Sequence, residues 1–353
     1  MSLKALAHIV VNLFRALAGA YGLSVSGFIG LRLLLGESWP LLGFLSNFLH
    51  LLLLPALLFL PLLALPLLLK RRAAAWSIAL PLAATQLVPA LTFLLTYGAQ
   101  FLPRAHSSSP AITVLTYNLH AERADLSGMI AVMRASGADV IAVQELSVFA
   151  AAGLPPALRD LYPYSALYPG TTNPTHGQGI FSRHPIVAET YWQNTHLRAT
   201  MGHLRALIDF DGRRLVFYNT HPVHPGMVGS FYDDSVRGAE IDIVLQRAAG
   251  ESVPVVMLGD FNMGEWSEDY ARITARHTDV YRAVGYGFGL TFPEWSRADT
   301  LPGFRARPLP LPPLLRLDYV FVSGLLPLEA QVWPDAGGSD HYPLRVQLGL
   351  ADD

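Results

Sequence analysis

The sequence predicts an α+β domain of two packed β-sheets flanked by helices, preceded by an N-terminal membrane segment of about three helices. The composition changes abruptly after Arg104: residues 1–104 carry seven Lys/Arg and one acid, Glu37, whereas the remainder carries 18 Arg, no Lys and 26 Asp/Glu. The remainder also has many short apolar runs and few helical patterns. That pattern fits two packed sheets better than a doubly wound parallel sheet.

The overall composition excludes several classes of protein. Of 353 residues, 52% are hydrophobic, only 15% are charged and none is Cys. A disordered chain, a disulfide scaffold and a thiolate metal or redox site are therefore excluded. The part after the membrane segment has about 245 residues, which is long enough for one well-buried core.

Residues 1–104 are predicted to be a membrane anchor with helices at roughly 9–35, 41–69 and 73–101. The second and third helices lie in two stretches of 31 residues without formal charge, 39–69 and 73–103. About 20 apolar residues in a helix span a bilayer, so each stretch is long enough.

The first apolar stretch is the weakest of the three, because Asn12, Arg15 and Arg32 interrupt it and only 16–31 is charge-free. A secretory signal peptide cut near Ala18 is the alternative for this stretch. A transporter with broken helices is an alternative for the whole segment, since five prolines interrupt it. The segment has almost no ionisable residue for a transport site, which favours an anchor. The prolines are Pro55, Pro61, Pro66, Pro81 and Pro89.

The charges around these stretches predict the orientation of the chain. The loop Lys70-Arg71-Arg72 is expected on the cytoplasmic side by the positive-inside rule, together with the N-terminus. Three spans then place everything after Arg104 on the extracytoplasmic side of the cell membrane. Residues 105–110 are predicted to be a short flexible linker, and residues 111–349 a globular domain.

Apolar runs and helical periodicity predict the elements of that domain. Strands are expected at 112–117, 140–143, 179–181, 186–192, 204–210, 215–219, 255–258, 319–322 and 344–348. Helices are expected at 125–136, 236–248 and 266–276.

Eight polar side chains lie at the ends of six of these strands. Any one of them alone is typical of a turn. All eight are of types that bind divalent cations or transfer protons, so we expect them to converge at one edge of the sheets. They are Asn118, Glu145, His221, Asp260, Asn262, Asp318, Asp340 and His341.

These residue types suit phosphoester hydrolysis. A phosphodiester is anionic, so its hydrolysis requires charge neutralisation, an activated water and stabilisation of the leaving oxygen. Carboxylates and an amide oxygen favour Mg²⁺ or Mn²⁺, and the absence of Cys makes zinc less apt. Asp260 and Asn262 would point the same way if the strand continued through Phe261.

As an ordered set, the strand-end motifs resemble those of the endonuclease/exonuclease/phosphatase superfamily, which includes DNase I-like nucleases, abasic-site endonucleases, neutral sphingomyelinases and inositol polyphosphate 5-phosphatases. The resemblance spans about residues 111–349. The motifs are Tyr117-Asn118-Leu119, Val143-Gln144-Glu145, Gly179-Ile180-Phe181-Ser182-Arg183-His184-Pro185, Asn219-Thr220-His221, Gly259-Asp260-Phe261-Asn262, Arg316-Leu317-Asp318-Tyr319 and Ser339-Asp340-His341.

The resemblance implies a four-layer α/β/β/α sandwich with the site at one edge of the two sheets. It implies that Glu145 is the principal metal ligand, assisted by Asn118, with Asp340 nearby at the metal site. Asp260 would orient or deprotonate the attacking water, and His221 and Asn262 would hold the phosphate oxygens. His341 would stabilise the transition state or assist proton transfer, with Asp318 fixing its tautomer.

The sequence also departs from the pattern of the superfamily. His221 is paired with an upstream carboxylate in some of its nucleases, and none occurs near Gly177-Gln178-Gly179. Arg237 resembles a recurrent arginine of the group, and a surface salt bridge is an equal alternative. Exposed or hydrogen-bonded loop positions are expected for the other histidines near the motifs, which are His176, His184, His196, His203 and His224.

The substrate is predicted from charge and tethering. The acidic balance of the domain gives no overall basic surface for nucleic acid. A tethered domain meets lipid headgroups at high effective concentration, which favours a lipid head-group phosphodiester over DNA. An extracytoplasmic nuclease and a catalytically inactive membrane scaffold remain as alternatives, and no obligate protein partner is evident. A small rim for anions is expected from Arg205, Arg213, Arg214, Arg305, Arg307 and Arg316.

Overall fold

The computed structural model of the chain describes residues 2–59, 61, 72–104, 111–120, 125–227, 231–294 and 312–350. The chain divides into two compact units, Met1–Leu102 and Pro103–Asp353. The predicted linker, 105–110, lies outside the described residues.

The first unit is helical. Helix α1 (Leu3–Leu35) and helix α4 (Arg72–Tyr97, continued by a 3-10 turn at Gly98–Phe101) contain stretches long and apolar enough to cross a membrane. Between them, α2 (Pro40–Ser46) and α3 (Leu49–Leu57) are bent by 62° and would count as a third span if taken together. The predicted second helix, 41–69, extends into undescribed residues, so the presence of three membrane spans stays a prediction.

Helices α1 and α4 pack closely through small and polar residues. A Cβ at Gly22 would collide with the Thr85 carbonyl oxygen, so glycine allows the backbones to approach. The buried amide of Gln86 donates to the Ala18 carbonyl oxygen at 2.7 Å. Near the other end of α1, Arg32 donates to Ser46 Oγ at 3.1 Å and lies 3.7 Å from Glu37. Such contacts are typical of helix pairs in membranes.

The second unit contains two six-stranded sheets. Sheet 1 has the order β11-β12-β1-β2-β4-β3 and sheet 2 the order β5-β6-β7-β8-β10-β9. The strands are β1 (Ala111–Asn118), β2 (Val140–Gln144), β3 (Tyr164–Tyr168), β4 (Gln178–Ser182), β5 (Ile186–Gln193), β6 (Gly202–Phe210), β7 (Arg213–Thr220), β8 (Val255–Asp260), β9 (Thr278–Asp279), β10 (Asp318–Ser323), β11 (Leu325–Val332) and β12 (Leu344–Leu350).

The two sheets pack face to face and helices cover their outer faces. Alternate strand residues such as Val114, Leu258 and Val346 form the buried core between the sheets. The helices pack against two separate apolar layers on the outer faces. They are α5 (Leu126–Ala135) and α6 (Val148–Leu158) on sheet 1, α7 (Ser235–Ala249) and α8 (Glu268–Thr274) on sheet 2, and the short α9 (Val280–Val284). The predicted four-layer α/β/β/α sandwich is confirmed.

Strand direction determines which ends meet. β1 and β2 are parallel, and so are β7 and β8, so each pair ends at one edge of its sheet. β10 runs antiparallel to β8 and β12 antiparallel to β1, so the starts of β10 and β12 lie at those same edges. The polar residues after β1, β2, β7 and β8 are therefore brought to the same edges as those at the starts of β10 and β12.

The backbone conformation at Gly259 explains why the motif has a glycine directly before Asp260. Its φ is +143°, and a Cβ there would collide with the Thr220 carbonyl oxygen of the neighbouring β7. Only glycine fits at this point, so strand β8 can stay against β7 up to Asp260.

Candidate active site

Three predicted site residues, which come from both sheets, are joined directly by hydrogen bonds. The buried Asn118 Nδ2 donates to Glu145 Oε1 at 3.2 Å and to Asp260 Oδ2 at 3.0 Å. The Asn118 backbone carbonyl in turn accepts from Ser339 Oγ at 2.7 Å, which ties the segment before β12 to the end of β1. Asn118 thus links the carboxylates of the two sheets.

Two histidines lie close to the same oxygen of Asp260. His221 Nε2 lies 3.6 Å from Asp260 Oδ2 and 3.9 Å from Glu145 Oε1. His341 Nε2 lies 3.7 Å from the same Asp260 oxygen. The side chains of His221, Asp260 and His341 are almost completely buried, whereas that of Glu145 is 16% exposed and opens the cluster to solvent.

The second ring nitrogen of His341 is held by Asp318. His341 Nδ1 lies 2.9 Å from Asp318 Oδ2, and both groups are buried. Burial disfavours the imidazolium, but the charges of Asp318 and Asp260 outweigh it and raise the pKa of His341 to about 10. With Nδ1 fixed on Asp318, it is Nε2 that faces Asp260.

Asp260 is placed to accept a proton. Burial raises its pKa, the nearby Asp318 adds to this, and His341 and His221 oppose it. A raised pKa makes a carboxylate a stronger base. The condition under which Asp260 and Asn262 would point the same way is not met, because β8 ends at Asp260 and Asn262 has a φ of +50°.

Asn262 nevertheless stays in the cluster. Its N–H donates to Asp260 Oδ1 at 3.0 Å, and its side-chain amide donates to the Pro222 carbonyl oxygen, next to His221, at 3.0 Å. Its left-handed backbone, like that of Glu145 at φ +55°, is uncommon for a residue other than glycine. Such strained positions concentrate at functional sites.

Arg237 lies in the interior, so the alternative that it forms a surface salt bridge is wrong. Its side chain is fully buried in α7, where Nε donates to Asp269 at 2.6 Å and Nη1 to the Asn262 carbonyl oxygen at 2.9 Å. Burial lowers its pKa, but Asp269 and Tyr232 outweigh burial and raise it. Arg237 therefore holds the turn that carries Asn262.

Asp340 has a partner that the sequence reasoning missed. Its Oδ1 lies 2.9 Å from His120 Nδ1, and the backbone N–H of His120 donates to Asn118 Oδ1 at 3.0 Å. Burial opposes both charges, yet the pairing raises the pKa of His120 and lowers that of Asp340. The only sequence indication was its position, two residues after Asn118.

The structure contradicts the predicted arginine rim at the four positions that it describes. Arg316 is buried and paired with Glu265 and Asp279, and Arg205 is paired with Glu251 at 2.6 Å. Arg213 and Arg214 begin β7, at the end of that strand away from His221. The other two predicted members, Arg305 and Arg307, lie outside the described residues.

A buried carboxylate, Glu240 of α7, supports the loop that follows His221. Its Oε2 accepts from the Val223 N–H at 2.9 Å, and its Oε1 accepts from Thr200 Oγ1 at 2.7 Å. His203, which was expected in a loop, is buried in β6 and lies 3.3 Å from Glu240. The carboxylate that orders the His221 region thus comes from a later helix.

Replacing Glu240 by glutamine is expected to make stability depend less on pH. Burial alone would raise the pKa of Glu240, but His203, Thr200 and the Val223 N–H hold it below its usual range. A lowered folded-state pKa gives stability that is full above about pH 5 and is lost as the pH falls through the folded value. Urea unfolding should show a wild-type advantage of about 1–3 kcal/mol at pH 7 that shrinks toward pH 3.

Glu189→Gln, a change at an exposed position, is the matched control. The difference in unfolding free energy between wild type and this variant should not shrink as the pH falls. An advantage of wild type over Glu240→Gln that stays constant from pH 7 to pH 3 would contradict the argument.

The residues present fit a hard divalent cation with few protein ligands. The accessible carboxylate is Glu145, and the side chains around it offer oxygen and imidazole. Within the described ranges, no group of three or more His, Cys, Asp and Glu is arranged to hold a metal ion. A hard divalent cation can be held by one or two carboxylates together with several waters, so a full set of protein ligands is not required. In this arrangement Asn118 turns its NH₂ group toward Glu145, and its role as a ligand stays a prediction.

A four-layer α/β/β/α sandwich with His, Asp, Asn and Glu at one edge of both sheets defines the DNase I-like class of phosphoesterase fold. The chain belongs to the endonuclease/exonuclease/phosphatase family, whose model matches residues 115–341. Enzymes of this family hydrolyse phosphoester bonds.

Solved structures support the fold. A family protein from Leptotrichia buccalis is 21% identical, with a TM-score of 0.52 over 68% of this chain and 100% of its own. A truncated TDP2 from Caenorhabditis elegans is 16% identical, with a TM-score of 0.53 over 68% of this chain and 97% of its own. A family protein from Bacteroides vulgatus is 16% identical, with a TM-score of 0.53 over 69% and 100%. A search of curated proteins finds no match.

Proposed function

We propose that the chain is a membrane-anchored, divalent-metal-dependent hydrolase of phosphodiesters, with lipid head groups as its substrates and Mg²⁺ as its cation. The observation that carries the hydrolase proposal is the buried cluster around Asp260. Side-chain nitrogens of Asn118, His221 and His341 lie within 3.7 Å of Asp260 Oδ2. Water activation and phosphate binding need such groups around one small volume.

Each residue has a task that its position supports. Asp260, whose pKa is raised, accepts a proton from the attacking water. His221 and Asn262 hold phosphate oxygens, and His341, positioned by Asp318, donates a proton or hydrogen bond where negative charge develops. A divalent cation held by Glu145, with Asn118 and Asp340 near it, would supply positive charge to the phosphate.

Exposed apolar side chains near the site support a lipid substrate. Val148 and Phe149 begin α6 shortly after Glu145, and they are 54% and 59% exposed. Met227 and Phe231, in the segment after His221, are 38% and 65% exposed. Both groups follow site residues at the ends of their strands, where they can enter the headgroup region of a bilayer. The tether proposed for residues 1–104, with the domain on the extracytoplasmic side, would keep the site near that surface.

The substrate test compares three substrates with purified full-length protein: bis-p-nitrophenyl phosphate, phospholipid or sphingomyelin vesicles, and plasmid DNA. We expect Mg²⁺ or Mn²⁺ to support turnover of the soluble diester, EDTA to abolish it, and vesicles to be preferred over DNA. The variant Phe149→Ser/Phe231→Ser should lose about tenfold or more on vesicles while retaining its rate on the soluble diester. Leu326→Ser, an exposed change at the opposite end of the sheets, is the control.

The outcomes separate the alternatives. Faster hydrolysis of DNA than of vesicles would assign a nuclease. Equal loss on all substrates in the double variant would reject the lipid-facing role of these side chains. The absence of metal-dependent turnover on every substrate would favour a scaffold without catalysis.

A further inference from the structure

His224 lies at the opening of the catalytic cluster. His221, Asp260 and His341 are almost completely buried, so a substrate approaches the cluster at the partly exposed Glu145. His224 follows His221 by three residues and is exposed. The charges of His221, Asp260 and Glu145 all act on its pKa, which places the imidazole near each of them. His224 therefore flanks the route by which a phosphoester reaches Asp260.

The backbone on both sides of His224 is fixed by contacts within the domain. The Pro222 carbonyl oxygen accepts from the Asn262 side chain at 3.0 Å, and the side chain of Val223 is completely buried. The carbonyl oxygen of His224 itself accepts from the Met227 N–H at 3.0 Å, which closes a turn. A residue held in this way keeps a defined position at the opening, as a residue that selects a substrate must.

Both ring nitrogens of His224 can bind a ligand. Among the described residues, neither nitrogen has a hydrogen-bond partner. A Cβ added at Gly226 would lie 3.4 Å from Nδ1, so glycine keeps that side of the ring clear. Partial desolvation lowers the pKa of His224 and His221 adds to this, while Asp260 and Glu145 oppose it. The ring is therefore neutral at pH 7, with one N–H donor and one acceptor nitrogen.

A donor and an acceptor side by side match the chemistry of a hydroxyl group, which can serve as both. Glycerol and inositol head groups carry several hydroxyls, whereas the trimethylammonium of choline has no hydrogen-bond donor or acceptor. The exposed Met227 and Phe231 lie on the same segment as His224. This segment would thus offer apolar contacts to a lipid and one polar contact to its head group.

We propose that His224 is a specificity-determining residue that hydrogen-bonds a hydroxyl of the substrate's head group, so that phosphodiesters of polyols are preferred over those of choline. This contact is additional to the phosphate contacts of His221 and Asn262. The inference rests on the proposed phosphodiesterase activity and goes beyond it by naming the chemistry of the head group.

The test uses soluble diesters that share one leaving group, the p-nitrophenyl esters of glycerol phosphate, inositol phosphate, methyl phosphate and phosphocholine. With purified full-length protein and Mg²⁺, we expect kcat/KM to be about fivefold or more higher for the polyol esters than for the other two. The methyl and polyol esters have the same charge, so their difference measures the hydroxyl contact. The better of the two polyols identifies the head group.

Variants assign the preference to the imidazole. His224→Phe should lose the preference, because the polyol esters fall toward the level of the methyl ester. His224→Gln keeps a donor and an acceptor and should retain part of it. His184→Phe is the matched control and should keep the full preference, because His184 follows β4 at the end of that strand away from Glu145.

The proposal would be overturned by equal kcat/KM for the polyol and methyl esters in wild type, by an unchanged preference in a folded His224→Phe protein, or by the same loss in His184→Phe. Absence of turnover on all four esters would reject the proposed function instead. Calorimetric binding of glycerol phosphate and methyl phosphate then decides on the contact without turnover. Wild type should bind glycerol phosphate more tightly than His224→Phe does, and equal binding would reject the role of His224.

Discussion

Asp260→Asn is expected to lower kcat for bis-p-nitrophenyl phosphate by about 10²–10⁴-fold. The amide keeps the size of the side chain but cannot accept the proton of the attacking water. The buried Asp260 also faces His221 and His341, so its charge organises both imidazoles. The measurement is steady-state kinetics at saturating Mg²⁺, with circular dichroism to confirm the fold.

Asp160→Asn is the matched control for this variant, because Asp160 is an exposed carboxylate paired with Arg134. It should retain the wild-type rate. A folded Asp260→Asn protein with more than a tenth of wild-type activity would remove Asp260 from the proton-transfer step, even if the metal requirement persisted.

Arg316→Met is expected to destabilise the domain by about 3–5 kcal/mol. Arg316 is buried, bonds to both Glu265 and Asp279, and has its guanidinium 4.4 Å from the centre of the Tyr319 ring. Without it, two buried carboxylates would remain with too little positive charge. For a domain of this size the melting temperature should fall by about 6–20 °C, which differential scanning calorimetry would measure.

Two further variants show whether the unbalanced charge is the cause. Arg134→Met removes an exposed ion pair and should leave the melting temperature almost unchanged. Glu265→Gln/Asp279→Asn, added to Arg316→Met, should recover part of the loss because the uncompensated charges are gone. If the triple variant is no more stable than Arg316→Met, lost packing rather than charge would explain the effect.

The strands in the middle of the sheets were predictable because they are continuous apolar runs. β1, β2, β7, β8 and β10 are buried on both faces, and polar residues follow or precede them where they reach the edge. Of the four edge strands, β5 was predicted, whereas β3, β9 and β11 were missed. β3 alternates weakly and is partly exposed, and β11 contains Pro327 beside a bulge. Edge strands tolerate proline and polar residues, so their sequences resemble loops.

Helix α6 was missed for a related reason. It contains Pro155 and Pro156, a pair that usually indicates a turn, whereas here they lie near its C-terminal end. A helix cap at Ser147, whose side chain accepts from the Ala150 N–H, marks its start. Ser is a residue type that favours helix starts, whereas Pro is a residue type that disfavours helix interiors.

The site was predictable in its residues but not in its supporting contacts. Position after an apolar strand identified Glu145, His221 and Asp260. The partners of His203 and Asp340 could not be identified this way, because Glu240 lies 37 positions from His203 and His120 lies more than 200 positions from Asp340. Such pairs depend on how the sheets stack, and a single sequence does not encode that distance explicitly.

The pairing of β1 with β12 bears on how the domain is made. β1 is the first strand of the domain to leave the ribosome, and its neighbour on one side is the last, since Ala111 pairs with Gly349. Until translation reaches the end of the domain, β1 has no strand partner on that side, and His341 has not yet been synthesised. Contacts between such distant positions form slowly. The group of predicted site residues at this edge of the sheets is therefore complete only once the closing strand has joined β1.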